Sequence, residues 1–589
     1  MKKKALVVSA AGAVLALALS ACGGGGTTTP AATEGGGSTS APSAGAAGFN
    51  AGLENVTNPS DVKGGTLKMA VTEDWDSIDP GDTYYGMSWN LLRIYGRPLV
   101  TYNPAPGAKG RELVPDLAES LGQSSDDGKT WTYKLRAGVK FEDGTAITSK
   151  DVKYAVLRQL DKKTFVNGPT YFNDWLDLPK DFESVYTTPD VNTDSAIETP
   201  DDQTIVFHLN KPYSGFDNFA ALPATVPVPQ AKDTGIKYRD HVVASGPYMF
   251  ETVEQGKQYV LVRNPNWDQA TDPVRKALPD KYEISLGVEA NDLDNRIIAG
   301  DLHIDIAGTG VQPAALGSIQ TDPALRERAD NPVSARTWYI SILNDNPPLD
   351  NVECRKAVIY AADRVGLQNA YGGQLAGDIA TSLLPSGIGG WKKLDLYPTA
   401  SGDDAKAKEA LTACGQPNGF ETTMTFRSDR PKEVAAAESM QQALAKVGIK
   451  LTLKGFPTSE YFTAYAGKPE YTKANGIGLA TNGWGADWND GFGFLSQIVD
   501  SRTIREAGNY NLSVKSPEID ALVDKAFATA DTAARDAVWG EIDQKVMEGA
   551  YVLPAVYAKG LLLRGKGVTN QFITGAFDMY DYLALGVQQ

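Results

Sequence analysis

Strand signals and helix signals along this 589-residue chain predict a packed body of mixed strands and helices, with enough material for two to four domains or lobes. Three observations carry that expectation. Trp131, Tyr133 and Leu135 alternate with polar residues, as a half-buried strand should. The stretches 401–415 and 433–448 read as helices that stop at Gly415 and Gly448. The composition, 42% hydrophobic and 22% charged, is that of an ordinary packed body.

At the start of the chain, Lys2, Lys3 and Lys4 precede an apolar stretch, 5–19, that is too short to span a membrane comfortably. Small residues follow, which predicts an export signal rather than a membrane helix. The segment closes on Leu19-Ser20-Ala21-Cys22, which resembles a bacterial lipobox. In such signals the cysteine is acylated and the chain is cut before it. Residues 1–21 are therefore expected to be removed, leaving Cys22 as the lipid anchor. That removes three lysines and no acid, taking the formal charge from −16 to −19. Residues 22–63 are Gly, Ser, Thr, Ala and Pro with few large apolar side chains, and read as a flexible tether reaching roughly 30–37 Å.

The body opens on a strand-like run at 65–71, followed by a helix at 87–95 that carries Leu91, Leu92 and Ile94. Asp127-Gly128 is a hairpin-type turn signal. A second strand and turn are expected at 138–145. Thr148 and Asp151 look like a capping box opening a helix through Tyr154, Val156 and Leu157.

The most suggestive stretch is Asn482-Gly483-Trp484-Gly485-Ala486-Asp487-Trp488-Asn489-Asp490. It follows an apolar run, 477–480, that reads as a buried strand. The expectation is a glycine-rich bend that presents Asp487 between the indoles of Trp484 and Trp488. A carboxylate shielded in this way attracts a cation with less screening than on an open surface. The indoles add flat apolar walls and a π-face. An Asp that merely caps a turn is the plainer alternative.

An acidic chain, of pI about 4.9, does not suit a nucleic-acid partner. His208, His241 and His303 are dispersed, so no metal site is expected. His-Glu-x-x-His, Gly-x-Ser-x-Gly, Cys-x-x-Cys and phosphate-loop patterns do not occur, so neither a cofactor nor an enzymatic activity is expected. With Cys22 lipidated, Cys354 and Cys414 remain, and outside the cytoplasm two leftover thiols favour a disulfide.

The run from Leu117-Ala118-Glu119-Ser120 through Asp127-Gly128-Lys129, Trp131-Thr132-Tyr133-Lys134-Leu135-Arg136 and Gly138-Val139-Lys140-Phe141-Glu142-Asp143-Gly144-Thr145 closely resembles the signature of the family 5 extracellular solute-binding proteins, the dipeptide and oligopeptide receptors of ABC importers. Further matching blocks follow in order: Ser245-Gly246-Pro247-Tyr248, Ala299-Gly300-Asp301, the helix opening at Arg355 and closing at Asp363-Arg364, and the Asp487 motif. The resemblance covers residues 64–589. It implies a periplasmic-binding-protein-like α/β fold of the cluster C type, with two hinged lobes and an extra small lobe. Carried onto this chain, lobe I takes 64–98, 204–308 and 550–589, the extra lobe 99–203, and lobe II 309–549. Crossovers would fall near 306–308 and 551–554.

The resemblance also implies site roles. Asp487 would pair with a ligand's α-ammonium, with Trp484 and Trp488 as cleft walls. Arg430, followed by Pro431, is similar to the Arg-Pro that captures a C-terminal carboxylate, and Arg427 competes for that role. The Arg that longer-peptide members carry six residues before the motif Asp is Thr481 here. The implied function is a monomeric, lipid-anchored, extracytoplasmic receptor that hands short peptides to an ABC permease and its ATPase. Another solute (oligosaccharide, opine, metal chelate or antibiotic-like compound) stays open, as does a surface hydrolase that uses carboxylates alone.

Overall fold

The structure, a computed structural model, describes residues 48–588 except 74, 309 and 530. The export signal, Cys22 and the first part of the tether lie outside the described residues. Residues 48–63, expected to be tether, are instead packed on the body. A short helix, Ala51–Glu54, donates its Gly52 N–H to Asp330 Oδ1 at 2.9 Å, and the Thr57 N–H donates to Gln571 O at 2.9 Å. Gly52 permits that approach because a Cβ there would sit 2.6 Å from the Asp330 carboxylate.

Three larger sheets organise the chain. The first runs in the order Ile304–Asp305, Thr66–Ala70, Lys281–Ser285, Gln258–Arg263, Tyr248–Glu254. Its first three strands are parallel and the rest antiparallel. Leu67 and Met69 are fully buried while Lys68 between them is exposed, the period of two that a strand imposes. The second sheet is antiparallel, in the order Gln123–Ser125, Thr130–Lys134, Thr204–His208, Ile197–Asp201. The third is mixed, in the order Gly377–Ile379, Val552–Lys559, Val333–Ile342, Ile477–Gly485, Glu421–Arg427, Lys450–Phe456.

Two strands lie at the limits drawn above for the lobes. Thr204–His208, placed above in lobe I, pairs along its length with Thr130–Lys134 and so belongs to the four-stranded sheet. Val552–Lys559, placed above after the return to lobe I, lies between Val333–Ile342 and Gly377–Ile379 in the six-stranded sheet. It is buried along almost its whole length, and such a strand suits the middle of either sheet, so only hydrogen-bond partners decide. The strand expected within 138–145 reduces to a turn with one bridge, Lys140 to Ala146.

The helices that matter for the site are Gly86–Tyr95, Ser149–Gln159, Pro431–Ala445 and Gly491–Val499. Asp151 Oδ2 accepts the Thr148 N–H at 2.8 Å, the reciprocal arm of the capping box. Cys354, in Val352–Ala361, is disulfide-bonded to Cys414, which caps Asp404–Ala413. Closing a loop with a sequence separation of 60 stabilises the six-stranded region by up to about 4 kcal/mol in the chain-entropy view.

Candidate functional site

The strand Ile477–Gly485 runs further than the sequence suggested. Gly483 and Gly485 lie within it, opposite Trp338 and Arg336 on the neighbouring strand. Neither glycine has a positive φ, so they do not serve a bend. They make room. A Cβ on Gly483 would fall 2.2 Å from the Trp338 ring, and one on Gly485 would fall 2.9 Å from an Arg336 Nη. Trp338 and Arg336 therefore lie over the strand where side chains would otherwise stand. The Arg336 guanidinium is 5.3 Å from the Trp338 ring centre, and Trp338 stacks on Tyr371.

Past the strand, the Ala486 N–H donates to Ala335 O and the Asp487 N–H donates to Gly493 O, each at 2.9 Å. Asp490 caps the helix Gly491–Val499 by accepting the Gly493 N–H at 2.7 Å. These bonds fix the short turn from which Asp487 projects. The hydroxyls of Tyr84 and Tyr171 both donate to Asp487 Oδ2, at 2.8 and 2.5 Å. Among the described residues, none donates a hydrogen bond to Oδ1. Tyr84 is placed by Asp76, which accepts the Tyr84 N–H at 2.7 Å, Thr83 Oγ1 at 2.8 Å and Ser88 Oγ at 2.7 Å. Tyr171 opens the helix Tyr171–Trp175 beside the four-stranded sheet. Parts of the chain associated with all three sheets thus converge on one carboxylate. Burial pushes the Asp487 pKa up to about 7, against the Tyr171 and Tyr84 hydroxyls and the charge of Arg336.

Asp487 is on the wall of a cavity of about 210 Å³. Trp484 lines it too, set edge-on to Tyr84, with its indole N–H buried and without an acceptor among the described residues. Trp488 does not line it. The turn carries that indole into an aromatic core with Tyr171, Phe219 and Phe492. On the cavity side Asp487 is therefore accompanied by the Trp484 indole and the Tyr84 phenol, not by two indoles, while Tyr171 reaches it from outside the lining.

The charged residues of the wall differ in how fully they are answered. Arg427 donates through Nε to Glu433 Oε2 at 3.0 Å and is ion-paired to its other oxygen. Thr481 Oγ1 adds a bond to Glu433 at 2.7 Å, which accounts for a threonine at that position. Although burial opposes it, Arg427 and Arg430 hold the Glu433 carboxyl below the usual range. Arg430 Nη2 meets Glu73 Oε2 at 2.8 Å, and Lys559 meets Asp378 at 2.7 Å. Asp578 accepts the Ala335 N–H at 2.7 Å, and burial raises its pKa to about 6. Arg336 has no carboxylate of the described residues within ion-pair distance.

Of the residues singled out in the sequence, Asp487, Trp484, Arg430 and Arg427 come together on this wall, and Trp488 stands behind it. Glu73, Tyr84, Tyr171, Arg336 and Asp578 had no motif to mark them. The one trace in the sequence was the spaced pair Gly483 and Gly485, whose meaning depends on which strand lies opposite.

Residues 112–506 match the family described as bacterial extracellular solute-binding proteins, family 5 middle. The chain is 26% identical over 532 residues to the probable D,D-dipeptide-binding periplasmic protein DdpA of Escherichia coli K12, covering 87% of this chain and 93% of that one. It is 26% identical over 515 residues to the glutathione-binding protein GsiB of Shigella dysenteriae serotype 1, covering 86% and 91%. Among solved structures, clavulanic acid biosynthesis oligopeptide binding protein 2 is 41% identical with a TM-score of 0.86, covering 93% of this chain and 99% of that one. DppA of Helicobacter pylori, solved with the peptide STSA, is 21% identical with a TM-score of 0.73 and covers 90% and 99%, which speaks to the fold alone. The matched segment is more than half of the sequence: the chain belongs to the bacterial extracellular solute-binding proteins of family 5.

Proposed function

We propose that this protein is the lipid-anchored receptor of an ABC importer, capturing short peptides by their free amino end and delivering them intact to the permease. The observation that carries the reading is Asp487. Its Oδ2 is held by Tyr84 and Tyr171, while Oδ1 accepts no bond from the described residues on the wall of a cavity. An ammonium placed there gains a charge-assisted hydrogen bond, roughly twice as strong as a neutral one. It also restores the ionised form that burial disfavours. At about 210 Å³ the cavity is smaller than the 300–1,000 Å³ usual for drug-sized ligands, which favours a short guest.

Tyr84, Tyr171 and Glu73 reach residues of the six-stranded region from elsewhere in the chain, so lobe closure would assemble the site. The names of several relatives refer to dipeptides, oligopeptides or glutathione, all peptides. Leu19-Ser20-Ala21-Cys22 supports the anchor.

Calorimetric titration of the mature protein with alanyl di- and tripeptides tests the reading. We expect micromolar or tighter binding, lost at least tenfold on N-acetylation of the peptide. Equal affinity for the free and acetylated forms would overturn amine capture. Fragments of the peptide recovered after incubation would overturn delivery of an intact guest.

A further inference from the structure

Four cations line the cavity: Arg336, Arg427, Arg430 and Lys559. Glu433, Glu73 and Asp378 answer the last three. Arg336 has no such partner among the described residues. Its guanidinium meets the face of Trp338 and an edge that the missing Cβ of Gly485 leaves open. Arg336 is half-buried, and an ionised group partly withdrawn from water without a close counter-charge costs free energy, to which the neighbouring arginines add. Burial and the charges of Arg430 and Arg427 press the Arg336 pKa down to about 10, with Asp578 and Tyr85 opposing. The fold nevertheless builds a place for this side chain, using a glycine and a tryptophan to seat it.

We propose that Arg336 is the anion-binding position of this cleft and takes a carboxylate of the guest. The planar guanidinium, 5.3 Å from the indole centre, offers a fork of donors that suits bidentate grip of a carboxylate. Arg336 pairs across the sheet with Gly485, two residues before Asp487. A cationic and an anionic anchor therefore share one end of the same strand pair, as a guest with both charges requires. Arg430, the carboxylate receptor that the sequence suggested, is already committed to Glu73. This inference rests on the peptide reading of the cavity for the kind of guest, though not for the presence of an anion position. The carboxylate can be a peptide's C-terminus or an acidic side chain.

The test titrates trialanine, its C-terminal amide, and the amide with Glu as third residue into the wild type, Arg336→Gln, Arg336→Lys and Asp487→Asn. We expect amidation to cost the wild type at least tenfold and Arg336→Gln less than twofold, with Asp487→Asn keeping the full penalty. Recovery of affinity by the glutamyl amide would assign the carboxylate to a side chain. Failure of that peptide to recover would assign it to the C-terminus. Arg336→Lys keeps the charge without the fork, so an intermediate penalty is expected, and it serves if the glutamine variant does not fold. An undiminished amidation penalty in a folded Arg336 variant would overturn the proposal. If no peptide binds the wild type, the peptide reading fails separately. Arg336 is then judged by phenylglyoxal labelling read by mass spectrometry. Slowing of labelling by millimolar succinate supports an anion position, and an unchanged rate rejects it.

Discussion

Two charged clusters in this protein are built from the same side chains and treated in opposite ways. Behind the cleft, Arg97 and Arg275 face Asp116 and Asp272, all at most 3% exposed. Arg97 Nε reaches Asp116 Oδ1 at 2.9 Å, and Arg275 Nη2 reaches Asp116 Oδ2 at 2.5 Å. Arg275 Nη1 meets Asp272 at 3.1 Å, and the remaining guanidinium nitrogens find Arg93 O, Gly96 O and Thr271. Burial alone would raise the Asp272 pKa, but Arg275 and Arg97 outweigh it and draw it down to about 2. In the cleft, by contrast, Arg336 has no carboxylate of the described residues within ion-pair distance, and one oxygen of Asp487 accepts nothing from the described residues. A fully answered cluster holds the fold, and an unanswered one is where a guest can be held.

The largest effect that separates the two belongs to the buried cluster. Asp116→Ala removes the carboxylate that two buried guanidiniums share, leaving them Asp272 alone, and should cost about 3–5 kcal/mol of stability in urea unfolding. An unchanged midpoint would mean the cluster is not structural. Removing the disulfide with Cys354→Ser and Cys414→Ser should cost up to about 4 kcal/mol by the same measurement. Asp487→Asn should do the reverse of Asp116→Ala. Its stability should stay within about 1 kcal/mol of wild type, because the carboxyl is already disposed to be neutral, while peptide affinity falls by about 1.5–3 kcal/mol.

Titration sharpens the same contrast. The folded, ligand-free Asp487 holds a proton up to about pH 7, whereas the unfolded chain releases it near 4. Its contribution to stability is therefore complete below about pH 4 and is lost as pH rises through 7. Peptide binding runs the other way, since an ammonium needs the ionised acid. Affinity should be full above pH 7 and weaken up to tenfold per unit below it, and Asp487→Asn should flatten that profile. Asp578, raised to about 6, contributes a second and shallower step if it also senses the guest. The smallest effect should come from Glu73→Gln. That pair is partly exposed, at about 1 kcal/mol or less, and its loss should change affinity by under fivefold in calorimetry.

Much of the fold was legible because strands and capped helices announce themselves locally. Trp131, Tyr133 and Leu135 are only 6%, 1% and 1% exposed, as their alternation indicated. Boundaries were less legible. Val552–Lys559 is apolar throughout, and its sheet is chosen by Val333–Ile342, more than 200 residues away. At the site, Asp487 could be found from its motif, but its Tyr84 and Tyr171 partners are 403 and 316 residues distant in sequence. Arg336 was invisible for a related reason. It is defined by the absence of a partner, and a sequence does not show which acids a fold brings near.

The most direct measurement is a crystal structure of the mature protein with a bound short peptide. The peptide's ammonium is expected within hydrogen-bond distance of Asp487 Oδ1, with Tyr84 and Tyr171 still on Oδ2. A peptide whose amine is met by another group, with Asp487 sealed away from it, would rule out amine capture by Asp487.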